Sequence, residues 1–579
     1  MGMNFNLNMT RFKEALYPIR EVSDLKTLID ESAVLYGSRE AFLVKDTPGG
    51  RYRAIKYQQF KADIDALGTG LMALGLAGKK IAVIGENRYE WVVTYLATVN
   101  GNSVIVPLDR ELPVGELRHL LEKSGVSAVI YSGKVEIAIE EAARDLPSLH
   151  YAISMDADTD HGQNLSLKLL MAKGRKLLSE EKRFFVDAVI DPDKLAIILF
   201  TSGTTGLAKG VMLTHRNICA NLMGVSQFIK LGGADTTLSI LPIHHTYEFT
   251  GDIMTSIYQG ACVAFCEGLK YIVKNMAEAR ATILVGVPLI FESMHKKVWR
   301  KAESTGKAEK LRQAVNISKT LNMLNIKAAR KLFKSVHEAL GGNARMFIVG
   351  AAATDPGVIE DFNAMGITMF QGYGMTECAP LISVNKDRYY KAASVGLPIP
   401  GTQVRIVDQD ENGIGEILCK SDSVMMGYYE NPEETAKVLK DGWLYTGDYG
   451  YFDKDGFLYI SGRKKNVIVT KNGKNIFPEE VEFYLNKSDY ISEVVVWGLD
   501  EAETGETIVC AEIVPDFEFI EQELGNLSDE ALRSLISKAV DAANEKMSVY
   551  KRVKRFEIRR TEFEKTTTKK IKRHTAVAR

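Results

Sequence analysis

The feature that most restricts the fold of this chain is the segment TSGTTGLAKG at 201–210, which directly follows the apolar run 195–200. An apolar run that ends in glycines and hydroxyl residues predicts a buried strand opening into a loop. Backbone N–H groups of such a loop, together with one lysine, can surround a polyphosphate. Ala208 and Gly210 flank Lys209, whereas the Walker pattern has glycine before its lysine and Ser or Thr after it. We therefore expect an ATP-handling loop outside the ordinary P-loop class, with a plain surface turn as the alternative.

Strand-like apolar runs alternate with helical patterns along most of the chain. Before the loop, helical patterns separate three such runs, at 80–85, 103–107 and 126–132. After the loop, further apolar runs occur at 237–241, 261–265, 283–287 and 346–349. This alternation predicts layered α/β subdomains with largely parallel sheets.

The pattern changes twice towards the C-terminus, and 579 residues exceed what one core can organise. Short β-like segments separated by turn residues predict a small β-rich subdomain at about 394–462. Beyond it, charged helices and a strand pair at 493–498 and 507–514 predict a small α+β domain. We expect a large N-terminal domain at 1–462, a hinge at 463–466 and a small mobile C-terminal domain at 467–579.

Composition excludes several classes of protein. Six cysteines without CxxC spacing, and no apolar run of about 20 residues, favour a cytoplasmic chain with reduced thiols. A net charge of −1 argues against nucleic acid as a partner.

The segment 296–334 is rich in lysine and arginine with interleaved apolar residues, which favours a solvated helical face over peripheral contact with an anionic membrane. A homodimer is left open.

Two further motifs carry side chains suited to a nucleotide. In QGYGMTECAP at 371–380, Tyr373 could stack on a purine and Glu377 could supply an oxygen ligand for Mg²⁺, although an ordinary turn is the simpler interpretation. In GWLYTGDYGY at 442–451, Asp448 lies near glycines, where a carboxylate can accept ribose hydroxyls. Arg463 follows at the expected hinge, within reach of a sugar or a phosphate.

Five motifs in order resemble the adenylate-forming superfamily of acyl-CoA synthetases, luciferases and peptide-synthetase adenylation domains. They are TSGTTGLAKG, QGYGMTECAP, GWLYTGDYGY, GRKKNVIVTKNGKNIFPEEVE and EKTTTKKIKR. The resemblance covers nearly the whole chain. It implies a two-step reaction in which a carboxylate attacks the α-phosphate of ATP and a thiol then takes the acyl group from the acyl-adenylate.

The resemblance also implies roles for individual residues. Lys570, Glu377 and Lys209 would be catalytic, with Lys570 bridging the substrate carboxylate and the α-phosphate, and Thr201 and Glu377 would lie near Mg²⁺. Lys569 and Ala208 depart from the family pattern, which often has glycine and proline there. The residues expected to bind the nucleotide, or in the case of Lys465 to form the hinge, are Thr201, Ser202, Gly203, Thr204, Thr205, Gly206, Lys209, Gly350, Ala351, Gln371, Gly372, Tyr373, Thr376, Asp448, Arg463 and Lys465.

Two segments indicate the acid and its acceptor. LPIHHTYEFT at 241–250 resembles a segment of long-chain fatty acyl-CoA synthetases and makes His245 and Phe249 candidate substrate contacts, with core packing as the alternative. GYYENPEETAKVL at 427–439 also resembles the fatty-acid branch, so medium to long chains are expected. The segment 467–482 lacks the insertion of related acyl-AMP ligases, which favours coenzyme A over a carrier protein. A carrier-loading enzyme and a non-catalytic nucleotide-binding scaffold are the alternatives.

Overall fold

The fold was taken from a computed structural model of the chain. It describes the backbone of residues 14–201, 208–323, 329–470, 474–501, 506–565 and 571–576, with side chains except those of 321–323 and 574–575.

The chain forms strands throughout its length. In chain order they are β1 (Glu40–Val44), β2 (Arg53–Lys56), β3 (Lys80–Ile84), β4 (Val104–Leu108), β5 (Ala128–Tyr131), β6 (Tyr151–Ser154), β7 (Asn164–Ser166), β8 (Leu195–Thr201), β9 (Lys209–Thr214), β10 (Thr236–Ser239), β11 (Cys262–Phe265), β12 (Ile283–Gly286), β13 (Met346–Val349), β14 (Thr368–Gly374), β15 (Leu381–Val384), β16 (Leu397–Pro398), β17 (Gln403–Val407), β18 (Gly415–Lys420), β19 (Gly427–Tyr428), β20 (Leu439–Lys440), β21 (Trp443–Phe452), β22 (Leu458–Arg463), β23 (Ile468–Val469), β24 (Asn475–Ile476), β25 (Ile491–Asp500), β26 (Thr507–Pro515) and β27 (Val553–Ile558).

Helices connect most of these strands. The α-helices are α1 (Leu25–Tyr36), α2 (Tyr57–Ala73), α3 (Tyr89–Val99), α4 (Val114–Ser124), α5 (Glu136–Ala142), α6 (Leu167–Ser179), α7 (His215–Ser226), α8 (Thr246–Glu248), α9 (Thr255–Gln259), α10 (Ile272–Glu278), α11 (Pro288–Ser304), α12 (Ala308–Met323), α13 (Ala329–Leu332), α14 (Lys334–Ala339), α15 (Pro356–Ala364), α16 (Pro432–Val438), α17 (Pro478–Leu485), α18 (Phe517–Leu524), α19 (Asp529–Asn544) and α20 (Arg573–Ala576). A π-helix spans Phe249–Met254, and short 3₁₀ turns occur at Gly133–Val135, Leu269–Tyr271, Thr376–Cys378, Lys464–Asn466 and Val549–Lys551.

The described chain folds as two compact units. The first runs to Val404 and also contains Cys419–Leu444 and Lys454–Phe457. The second contains Arg405–Leu418, Tyr445–Asp453 and the residues from Leu458 onward. The predicted boundaries at 462 and 467 stay a prediction.

Two large sheets organise the first unit. One has the order β16-β15-β14-β13-β12-β10-β11-β1-β2, and its six central strands from β14 to β1 are parallel. The other has the order β19-β9-β8-β4-β3-β5-β6-β7, in which β9 pairs antiparallel with both β8 and β19. Parallel strands covered by helices on both faces need continuous apolar runs, which explains why β3, β5, β12 and β13 are almost entirely apolar. The predicted α/β class is confirmed.

The second unit has its own core. β25 and β26 pair antiparallel over nine register positions, and β27 adds to β26 in parallel. Helix α19 buries Leu532, Ile536 and Val540 at i, i+4 and i+8 in the same hydrophobic cluster. The strands from β17 to β22, except β19, form a five-stranded sheet. The predicted β-rich subdomain at about 394–462 stays a prediction.

The basic segment 296–334 is helical over α11 and α12. Helix α11 buries Pro288, Phe291 and Met294 and exposes Lys296 and Lys297, so its basic side chains lie on the face away from the core. Across the parts of the chain that the structure describes, the helices are too short or too polar to cross a bilayer.

Two buried acids stand out in the core of the first unit. Glu248 and Asp252 are 0% and 2% exposed, four residues apart where the short helix α8 passes into the π-helix. Neither oxygen of Asp252 finds a hydrogen-bond partner among the described residues. Burial raises the pKa of Asp252 to about 7 and also raises the pKa of Glu248. The folded protein therefore favours the neutral acids.

These acids predict a pH dependence of stability. Because the folded state holds the Asp252 proton more tightly than the unfolded chain, stability is lost as pH rises from about 4, the ordinary value, to about 7. In Asp252→Asn, which cannot ionise, Tm should fall less between pH 5 and pH 8 than in the wild type, by on the order of 2 °C or more. Differential scanning fluorimetry at several pH values measures the slope of Tm against pH.

The exposed Asp541 on α19 supplies the control. Asp541→Asn should keep the wild-type slope. An Asp252→Asn slope equal to that of the wild type would contradict the assignment of a proton to this site.

Candidate active site

The base of the polyphosphate loop is an antiparallel strand pair. Thr201 ends β8 and pairs with Lys209, the first residue of β9. The hydroxyl of Thr201 donates to the carbonyl of Lys209 over 3.4 Å. Thr201 and Lys209, the two predicted nucleotide contacts of this loop that the structure describes, therefore face each other across the ends of the strands. Ser202, Gly203, Thr204, Thr205 and Gly206 lie outside the described residues.

Lys209 is held by an acid that the sequence analysis did not single out. Its Nζ lies 2.5 Å from Glu434 Oε2 and 5.1 Å from the centroid of the Tyr428 ring. The hydrogen bond from Lys209, followed by that from Lys437, lowers the pKa of the Glu434 carboxyl to about 2. Glu434 is therefore ionised at any physiological pH and forms a true ion pair with the lysine.

Glu377 lies on a 3₁₀ turn that continues from β14. Its Oε1 accepts a hydrogen bond of 2.8 Å from the Tyr428 hydroxyl, and its backbone carbonyl accepts one of 2.9 Å from Met425 N. Burial, with the Glu377 charge as the next cause, raises the pKa of Tyr428, so that the phenol remains a donor. These contacts fix the orientation of the predicted metal ligand.

The residues present suit Mg²⁺ bound together with a nucleotide. No cluster of three or more His, Cys, Asp or Glu side chains in the described ranges could hold a metal on its own. Mg²⁺ commonly takes one or two protein oxygens and completes its shell with phosphate oxygens and water. The hard oxygens of Thr201 and Glu377 fit that requirement.

The strand β14 carries the predicted adenosine contacts on a rigid backbone. Gln371 is 4% exposed, and its side-chain amide donates to Ala392 O over 2.7 Å. Its backbone carbonyl accepts from Asn385 Nδ2 over 3.0 Å. A Cβ on Gly374 would lie 2.0 Å from Pro380 O, so only glycine fits there. Next to it, Tyr373 is half-buried, and Thr376 is buried at the start of the turn.

Gly350 and Ala351 lie just beyond the end of β13. A Cβ on Gly350 would come within 3.0 Å of the Tyr247 ring, so glycine allows the tyrosine to approach the backbone. The Tyr247 hydroxyl donates to Gly286 O and Ile348 O, each over 3.2 Å. Ala351 is exposed with φ of 71°, a left-handed conformation that costs energy for a residue with a Cβ.

His245 and Phe249 occupy different environments. His245 is half-buried and its Nδ1 accepts from Tyr247 N over 3.5 Å, at the start of a short helix. Phe249 is 3% exposed and packs against Trp91 and Tyr95, with ring centroids 5.3 and 4.0 Å away. In this conformation Phe249 is part of the core, and its predicted substrate contact stays a prediction.

In the second unit, β21 and β22 bring two predicted ribose contacts together. Asp448 and Arg463 are register partners, and Arg463 Nε lies 2.9 Å from Asp448 Oδ1. The Asp448 side chain is 5% exposed, so the buried carboxylate has a cationic neighbour.

The predicted hinge follows as one 3₁₀ turn, Lys464–Asn466. Lys464 Nζ bonds Glu416 Oε2 over 2.6 Å, and Asn466 Nδ2 bonds Glu479 Oε1 over 2.7 Å. Lys465 between them has an exposed side chain, but nearby protein atoms partly desolvate its ammonium group. This desolvation, followed by the charges of Arg463 and Arg573, lowers the pKa of Lys465. Lys570 lies outside the described residues.

Sequence reasoning missed Tyr428, Glu434, Asn385 and Tyr247. The first two lie within the motif GYYENPEETAKVL, which was noted only for its resemblance to the fatty-acid branch. Their partners are more than 50 residues away, at Glu377 and Lys209, and no spacing rule connects such distant positions.

The chain is similar to known proteins over most of its length. Residues 29–429 match the family described as AMP-binding enzyme, and residues 465–579 match the AMP-binding enzyme C-terminal domain. Long-chain-fatty-acid–CoA ligase 5 of Rattus norvegicus is 31% identical over 527 residues, covering 85% of this chain and 76% of the relative. Long-chain-fatty-acid–CoA ligase FadD15 of Mycobacterium bovis is 29% identical over 544 residues, covering 88% of each.

Solved structures share the fold. The anthranilate CoA ligase AuaEII, crystallised in complex with anthranoyl-AMP, has a TM-score of 0.75 at 20% identity over 97% of this chain and 98% of its own. The O-succinylbenzoate coenzyme A synthetase MenE from Bacillus subtilis, in complex with ATP and magnesium ion, has a TM-score of 0.69 at 21% identity over 94% and 98%.

The Asp448–Arg463 pair yields a binding prediction. Asp448→Asn keeps the shape of the side chain but removes its charge, so ATP should bind about 10-fold more weakly if the carboxylate accepts from ribose hydroxyls. Isothermal titration calorimetry measures the Kd. Asp441→Asn, which changes an exposed turn residue just before β21, should leave the Kd within twofold. Equal affinity of Asp448→Asn and the wild type would contradict the ribose role.

Proposed function

The chain belongs to the AMP-binding enzyme family, and from this premise we propose that it is an ATP-dependent, AMP-forming fatty acid–CoA ligase. The observation that carries the proposal is the 31% identity to a long-chain-fatty-acid–CoA ligase over 85% of the chain. The similarity extends over 76% of the relative's own length. The ordered motifs of the sequence support the same conclusion.

The reaction has two balanced steps. In the first, a carboxylate oxygen of the fatty acid attacks the α-phosphorus of ATP, the bond to the bridging oxygen breaks, and pyrophosphate leaves with the electron pair. In the second, the sulfur of coenzyme A attacks the acyl carbonyl, the thiol proton passes to solvent, and AMP leaves. Energy from the first step is thereby kept in a mixed anhydride until the thioester forms.

Residues of the first unit are proposed to bind the polyphosphate and the base. The loop that begins at Thr201 and ends at Lys209 surrounds the β- and γ-phosphates, where the lysine offsets negative charge. Glu377, oriented by Tyr428, holds Mg²⁺, which would neutralise charge on the phosphates when bound. Tyr373 stacks on the purine, on a strand whose backbone Gln371 ties to its neighbours.

Residues of the second unit are proposed to bind the sugar and complete the catalytic set. The Asp448 carboxylate accepts hydrogen bonds from the ribose hydroxyls. Arg463, whose Nε lies 2.9 Å from Asp448 Oδ1, orients the carboxylate and contacts the same sugar. Lys570 bridges the substrate carboxylate and the α-phosphate during the first step. Lys465 is the pivot about which the C-terminal domain turns between the two steps.

An apolar chain of medium to long length is the proposed acyl substrate. Each methylene removed from water contributes about 0.8 kcal/mol, so an apolar site selects chain length efficiently. His245 and Phe249, the proposed acyl contacts, lie on the segment that resembles fatty acyl-CoA synthetases. Peripheral membrane contact through 296–334, a homodimer and a cytoplasmic location stay predictions.

The proposed activity has a direct assay. Purified protein with Mg²⁺, ATP and coenzyme A should convert dodecanoic and hexadecanoic acids to thioesters at least 10-fold faster than butanoic acid, with AMP and pyrophosphate in equal amounts. Liquid chromatography with mass spectrometry measures all three products. Acyl-AMP that accumulates without use of coenzyme A would favour a carrier-protein acceptor. ATP binding without turnover of any acid would favour a scaffold.

The two half-reactions separate the roles of Lys570 and Lys465. Lys570→Ala should slow acyl-adenylate formation about 100-fold or more, because a fixed cation near the α-phosphate is lost, and should largely spare thioester formation from supplied acyl-adenylate. Single-turnover assays of each step measure this. Lys569→Ala serves as the neighbouring control and should change neither step more than a few-fold.

Lys465→Pro should show the opposite pattern. A proline fixes φ at the turn and restricts rotation without removing a phosphate contact, so the second step should slow more than the first. Equal losses in both half-reactions for either variant would contradict the assignment of separate roles.

A further inference from the structure

One short segment contacts two of the predicted phosphate-site side chains of the first unit, Lys209 and Glu377. Strand β19 and helix α16 together cover most of 427–438 and supply Tyr428 and Glu434. Tyr428 bonds Glu377, and Glu434 pairs with Lys209.

The segment is itself firmly attached to the loop-bearing strand. Tyr428 is the register partner of Val211 on β9, two residues after Lys209. Its backbone N donates to Thr435 Oγ1 over 2.8 Å, which ties the strand to the first turns of α16. At the start of α16, the side chain of Asn431 caps the helix by accepting from Glu434 N over 3.1 Å. Glu434 therefore lies on a helix that is connected to β9 through the β19–β9 pairing and these two hydrogen bonds.

The ion pair lies in a partly desolvated place. The side chains of Lys209 and Glu434 are 18% and 27% exposed, and the Lys209 ammonium lies over the face of the Tyr428 ring. An ion pair at such a position is screened less by water than one on the open surface. The Glu434 carboxylate also accepts from Lys437, so it has two cationic partners and does not neutralise Lys209 completely.

Ordering a lysine before its ligand arrives has an energetic benefit. A free lysine side chain loses rotamer freedom when it is fixed, which costs free energy. If the protein fixes it beforehand, the polyphosphate does not bear that cost on binding. The ammonium has three donors, so that one can remain on Glu434 while the others turn to phosphate oxygens.

We propose that Glu434 is a positioning residue for the polyphosphate: it holds the Lys209 ammonium over the Tyr428 ring at the base of the 201–209 loop, ready for the β- and γ-phosphates of ATP. The proposal rests on the proposed function only in taking ATP as the nucleotide. In this proposal Glu434 acts through Lys209 and does not itself contact the nucleotide.

The test compares nucleotides that differ only in their phosphates. In Glu434→Gln, the Kd for ATP measured by isothermal titration calorimetry with Mg²⁺ should rise about 10-fold, whereas the Kd for AMP should stay within twofold, because AMP lacks the phosphates that Lys209 meets. A general loss of structure would weaken both. Glu434→Asp, which keeps the charge, should bind ATP more tightly than Glu434→Gln.

Glu433→Gln provides the matched control, since Glu433 is exposed and precedes Glu434 on the same helix. It should bind ATP and AMP like the wild type. Unchanged or tighter ATP binding in Glu434→Gln, equal weakening for ATP and AMP, or an equal effect of Glu433→Gln would overturn the proposal. Because the readout is binding, failure to ligate any fatty acid would count against the proposed function and leave this result intact.

Discussion

The structure depends on one constraint: buried parallel strands must pair every backbone N–H and C=O within the sheet, so loops that can offer free backbone groups to a ligand begin where a strand ends. β13 and β14 follow this rule, since Gly350 and Ala351 come directly after the one and Glu377 shortly after the other. β8 departs from its parallel neighbours by pairing antiparallel with β9, which brings both ends of the 201–209 loop to one place. The expected contacts at Thr201, Lys209, Gly350, Ala351 and Glu377 therefore lie at or just beyond strand ends, whereas Gln371, Gly372 and Tyr373 lie within β14 near its end.

Much of this could be predicted from the sequence because the signals are local. The apolar runs at 80–85, 195–200, 283–287 and 346–349 correspond to β3, β8, β12 and β13 within a residue or so. The alternation of strands and helices predicted the α/β class. The family resemblance was confirmed by the matches at 29–429 and 465–579. Residues 202–206 and Lys570, central to the predicted chemistry, stay predictions.

What the sequence did not reveal depends on contacts between distant positions. The Tyr428–Glu377 hydrogen bond and the Lys209–Glu434 pair join residues 51 and 225 positions apart, and both follow from the pairing of β19 with β9. The burial of Glu248 and Asp252 was equally hidden, because local pattern rules place acids at the surface. Phe249, expected at the acyl chain, packs on Trp91 and Tyr95, so its role depends on a rotamer that the sequence cannot specify.

The central claim is that ATP is attacked at its α-phosphorus by a fatty acid carboxylate, with a mixed anhydride held on the enzyme. Exchange of labelled pyrophosphate into ATP, measured without coenzyme A, tests this step alone because only a reversible adenylation returns the label to ATP. The account predicts exchange that requires both Mg²⁺ and a fatty acid of medium to long chain. Exchange that is independent of the acid, or formation of ADP and phosphate in place of exchange, would contradict it.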